Sequence, residues 1–167
     1  MIQCIVTGIL LGGLYSMIGI GMSLVFGIMG LTNLAHGDLM ILATYISLVM
    51  TRALGCNLIV SVIVSVVVMC VLGFVIQQFL VNKVMDKGEA PALLVTFGLS
   101  IFLSNLMLKI FSADNQSINN SLSSKNVVTT DVLSISASYL TSFIIACVII
   151  IGLSLVMQKT NFGRAIR

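Results

Sequence analysis

Along the chain, long apolar runs alternate with short polar segments. Formally charged side chains are absent from residues 1–37, 53–82, 90–108 and 132–158. About 20 helical residues cover the roughly 30 Å hydrocarbon core of a bilayer, so these runs read as membrane helices. The pattern predicts five segments, from Ile2 to Met29, Leu31 to Met50, Leu58 to Val81, Pro91 to Phe111 and Leu133 to Met157. Pro91 suits a first helical turn, where its missing N–H has no intrahelical partner to lose. The second segment is irregular, because Asn33, His36 and Asp38 stand near its start. The expected fold is all-α, a polytopic transmembrane helix bundle in which every backbone polar group is satisfied within its own helix.

Composition narrows the function classes. Five acidic and eight basic residues in 167, with 59% hydrophobic residues and a mean hydropathy of +1.19, fall far below the charge of a soluble domain. Such domains carry charge on about a quarter of their residues. A water-soluble enzyme, a nucleic-acid binder and a disordered tail are excluded. The basic residues also sit singly between apolar runs, which is unlike a nucleic-acid patch. They serve better as topology markers. Lys83 and Lys87 must share a side with Lys159, Arg164 and Arg167, leaving Arg52, Lys109 and Lys125 opposite. Cytoplasmic segments retain basic residues, so the C-terminal side is expected to be cytoplasmic. The first segment has no positive n-region and is longer than a signal core, so it should remain as a membrane helix.

Within that segment Gly8, Gly12, Ser16, Gly19, Ser23, Gly27 and Gly30 recur at intervals of three or four. At 3.6 residues per turn this leaves one helix face nearly bare of side chains. Bare faces let helix backbones approach closely in lipid, where burying apolar surface gives no net drive. Helix packing is the expected role of the stripe.

The polar break at Asn33, His36, Gly37 and Asp38 is a different matter. Without it, only Leu39 to Thr51 would remain, and thirteen residues rise about 20 Å, too little to cross. Either a helix starting near Leu31 carries these groups inside the membrane boundary, or the segment is re-entrant or broken. Intramembrane ionisable groups tend to face a cavity or a protein partner, and broken helices bind solutes in transporters. The alternative is an interfacial turn, with Asn33 or Asp38 capping the following helix. No catalytic constellation, metal-ligand spacing or phosphate loop accompanies the break, so no enzyme, metal or cofactor is expected.

The run Gly8-Ile9-Leu10-Leu11-Gly12-Gly13-Leu14-Tyr15-Ser16, followed by Asn33-Leu34-Ala35-His36-Gly37-Asp38, resembles the opening of branched-chain amino-acid ABC transporter permeases. Thr96-Phe97-Gly98-Leu99-Ser100 is similar to that family's Thr-x-Gly-Leu-Ser run, and Phe162-Gly163-Arg164-Ala165 to the start of its coupling segment. The resemblance implies that residues 1–167 are the N-terminal part of the transmembrane domain of an ABC importer, incomplete relative to the family. It implies a multi-pass protein of the bacterial inner membrane that moves branched-chain or related amino acids. Its partners would be ABC ATPase subunits, a second permease subunit and a solute-binding protein, with ATP hydrolysed on the ATPases. Asn33, His36, Gly37 and Asp38 would lie at the translocation path, and Gly163 and Arg164 would begin the ATPase contact. Three rival readings stay open: a truncated membrane fragment that does not transport, an importer of urea or amides, and an ATP-independent channel or carrier.

Overall fold

The computed structural model describes residues 2–53, 55, 57–85, 87–112, 114, 116, 126–130 and 133–159. Its helices are α1 (Ile2–Met29), α2 (His36–Ala53), α3 (Leu58–Ile76), α4 (Asn82–Met85), α5 (Glu89–Phe111) and α6 (Ala137–Lys159). A π-helical turn, Gln77–Val81, joins α3 to α4 without a break. Four stretches are long and apolar enough to cross a membrane: Gln3–Ile28, Leu58–Met85, Glu89–Phe111 and Ala137–Lys159. Large apolar side chains such as Ile59, Val66, Phe74, Leu94 and Val148 are exposed on them. A fold that turns such residues outward is built for lipid, since only there does their exposure carry no hydration cost.

Contacts divide the chain into two compact units, residues 1–30 with 119–167 and residues 31–118. In the first unit α1 and α6 pair in parallel. Gly13 meets Phe143, and about two to four turns further on Ile20, Ser23, Leu24 and Gly27 face Leu153 and Met157 across a shallow gap. The unit also holds a small antiparallel hairpin, β1 (Asn126–Thr130) with β2 (Leu133–Ser136), pairing Thr130 with Leu133 and Asn126 with Ser136. The last membrane segment therefore starts as a helix at Ala137, four residues later than hydropathy alone places it. Hydropathy reports preference for lipid, and it cannot separate an apolar strand end from the helix that follows.

In the second unit α2 lies antiparallel to α3. Ser65 Oγ donates to the Ala43 carbonyl at 2.7 Å, and Thr51 Oγ1 donates to Ser61 Oγ at 3.0 Å. Against α5 it runs parallel: Asp38 meets Ser100 and Ser104, and seven residues on, the Tyr45 ring stacks on Phe111 with centroids 4.1 Å apart. Beyond the end of α5, Arg52 still reaches Gln116 Oε1 at 2.5 Å. The segment predicted from Leu31 thus becomes helical only at His36. Gly30 takes a φ of +64°, a left-handed conformation open to glycine, and ends α1 with its N–H on the Phe26 carbonyl at 2.8 Å.

Candidate functional site

The segment after Gly30 is organised by Asn33. Its side-chain Oδ1 accepts the Ala35 N–H at 3.0 Å, and its carbonyl accepts the His36 N–H at 3.3 Å. An asparagine offering its own oxygen to the chain two residues on is an Asx turn, which satisfies N–H groups that a helix start leaves unpaired. Ala35, held in this turn, is fully buried. The sequence thereby dictates both the stop of α1 and the start of α2 within six residues.

Asp38 falls in the first turn of α2, where the partial positive charge of the helix end favours a carboxylate. Two serines of α5 hold it. Ser100 Oγ donates to Oδ2 and Ser104 Oγ donates to Oδ1, the latter at 2.7 Å. Residues four apart on a helix stand one above the other, so a single face of α5 presents both hydroxyls to the two oxygens of one carboxylate. Hydrogen bonds to an ionised acceptor are about twice as strong as neutral ones.

The expected path residues are thus placed as follows. Asn33, His36 and Asp38 are half-buried and Gly37 is exposed, with open space where a Cβ would stand. His36 and Asp38 are two residues apart and do not share a helix face. Asn33 acts on the backbone of the turn, and among the described residues Asp38 alone of the four hydrogen-bonds to another helix. The contacts of Asp38 that the sequence reading did not anticipate are those with Ser100 and Ser104. Their signal was a pair of hydroxyls at i and i+4 in the apolar middle of α5, which only a facing carboxylate makes meaningful.

In α1 the small-residue stripe is exposed at Gly8, Gly12, Ser16, Gly19, Ser23 and Gly27, with nothing within 4 Å of a Cβ at Gly8, Gly12, Gly19 or Gly27. Close approach to α6 occurs beside the stripe, at Gly13, where an added Cβ would lie 2.4 Å from Phe143 Cδ2. Gly163 and Arg164 lie outside the described residues.

A family model described as "Branched-chain amino acid transport system / permease component" matches residues 4–167. The chain is 24% identical over 177 residues to the high-affinity branched-chain amino acid transport system permease protein BraD of Pseudomonas aeruginosa, covering 99% of this chain and 58% of that one. It is 31% identical over 112 residues to the corresponding LivH proteins of Escherichia coli K12 and Salmonella typhimurium, covering 62% of this chain and 36% of theirs. The chain therefore spans less than two thirds of the length of these relatives. No solved structure matches.

Proposed function

Since this multi-pass membrane protein belongs to the family of branched-chain amino acid transport system permease components, we propose that it forms part of the translocation pathway of an ATP-driven importer for branched-chain or related amino acids. The observation that carries the proposal is the family match across residues 4–167. The contact of Asp38 with Ser100 and Ser104 supports it, because it joins the Asn33–Asp38 motif and the Thr96–Ser100 run at one point in space.

In this reading the chain resides in the bacterial inner membrane, with Lys83, Lys87 and the residues after α6 on the cytoplasmic side. Two permease subunits form the membrane core, two ATPase subunits bind from the cytoplasm near Gly163 and Arg164, and a solute-binding protein delivers substrate from outside. This chain hydrolyses nothing. Its part is to offer polar groups along an otherwise apolar passage, with Asn33, His36, Gly37 and Asp38 at the path. An ammonium or carboxylate of a zwitterionic solute needs such partners, since an unpaired charge in hydrocarbon is costly.

The test is uptake of radiolabelled leucine into proteoliposomes holding the full-length protein with its ATPase, second permease and binding-protein partners. ATP-dependent accumulation is expected, and His36→Ala or Asn33→Ala should slow it by about tenfold, a barrier increase of ~1.4 kcal/mol. Uptake unchanged in both variants would remove these residues from the path. Accumulation of urea in place of leucine would reassign the solute to amides.

A further inference from the structure

The helix contacts of residues 31–118 fix the level at which α2 begins. Ser100 is the central residue of α5 (Glu89–Phe111), and with Ser104 it holds Asp38 in the first turn of α2. The antiparallel partner agrees. Pairing of Ala43 with Ser65 and of Thr51 with Ser61 sets Asp38 beside the residues near Leu72, the middle of the continuous stretch Leu58–Met85. If α3 and α5 cross the bilayer, α2 starts halfway through it. From Asp38 to Ala53 the helix rises about 22 Å, enough for one half of the core and the interface beyond. Residues Gly30–Asn33 can extend to about 10 Å, and the turn Asn33–His36 adds up to about 7 Å, together about the other half of the core.

The pairing of α1 with α6 bears on the same question. These helices run parallel, as the matches of Gly13 with Phe143 and of Ser23 and Gly27 with Leu153 and Met157 require. Successive crossings alternate in direction. Two crossings between α1 and α6, those of α3 and α5, would leave the pair antiparallel. A third crossing is needed, and residues 31–53 are the chain between α1 and α3.

We infer that residues 31–53 cross the bilayer as a broken span, non-helical over Leu31–Ala35 and helical in α2, and that Ser100 and Ser104 are positioning residues which hold the break at mid-membrane depth through the Asp38 carboxylate. Non-helical backbone survives at that depth only against protein or a water-filled cavity, so the same serines place residues 31–35 along the passage. Their effect on transport rests on the proposed function; the crossing does not.

Two measurements test this. In the full chain with its other cysteines replaced by serine, Cys4 and, separately, Lys87→Cys are reacted with a charged, membrane-impermeant maleimide in right-side-out and inside-out vesicles. Three crossings put the two positions on opposite faces, and labelling of both from one face would overturn the broken span. In the reconstituted importer, Ser100→Ala/Ser104→Ala should lower the maximal leucine uptake rate at least about tenfold, with the half-saturating concentration unchanged, and Ser100→Thr/Ser104→Thr should stay within about twofold of the parent. An alanine pair that transports like the parent, or a threonine pair as impaired as the alanine pair, would overturn the positioning role. If the unmodified importer moves no branched-chain amino acid, the proposed function fails. The maleimide result and disulfide formation by Asp38→Cys/Ser104→Cys in membranes then decide the inference: a disulfide supports it and none overturns it.

Discussion

At Gly13 a side chain has nowhere to go. An added Cβ would stand 2.4 Å from Phe143 Cδ2 and 2.8 Å from Cε2, so the ring must move or the helices must part. Overpacking of this kind costs about 1–3 kcal/mol. Gly13→Ala should therefore lower the thermal unfolding midpoint in detergent, and Phe143→Leu in the same background should recover part of the loss. Gly12, one position earlier, faces open space, and Gly12→Ala should leave the midpoint within experimental error. If the exposed stripe packs on the second permease subunit, Gly12→Leu will reduce co-purification of that subunit while sparing the midpoint. The spacing of small residues was legible in the sequence. Which glycine meets a ring was not, because Phe143 is 130 residues away and apolar like its neighbours.

Between elements, the α2–α3 contact is a polar seam in an apolar setting. Ser61 is fully buried, with its Oγ donating to the Asn57 carbonyl at 3.2 Å and accepting from Thr51, while Ser65 donates to the Ala43 carbonyl. Hydroxyls allow close backbone approach, and interhelical hydrogen bonds in membrane proteins average about 0.6 kcal/mol. Ser65→Ala should thus cost only about that much. Ser61→Leu inserts a branched side chain where there is no space and should cost about 1–3 kcal/mol. Chemical denaturation in mixed micelles, followed by circular dichroism, separates the two. Such seams are hard to read in advance, since serine is common in membrane helices and nothing local marks the two that face a partner. The start of α2 shows the converse. Leu31, Leu34 and Ala35 are apolar enough to be counted into a span, yet Gly30 and Asn33 give the backbone a turn that outweighs helical continuation.

For the whole molecule, exposed isoleucine, valine, leucine and phenylalanine along α1, α3, α5 and α6 require a lipid or detergent surround. The protein should stay in the membrane pellet after alkaline carbonate extraction and aggregate when detergent is diluted below its micellar concentration. Release into the supernatant as a monomer would contradict a multi-pass protein. The sequence by itself determined that surround and, through motifs kept in order, the family. Each depends on composition or local pattern, and transfer into lipid is close to additive along the chain. Tertiary structure alone decided that α1 and α6 run parallel, that α2 begins level with the middle of α5, and that one carboxylate is held by two serines more than sixty residues away. Hydropathy is blind to these because it counts what a residue loses on leaving water, whereas helix direction, level and pairing depend on which distant residue completes its hydrogen bonds.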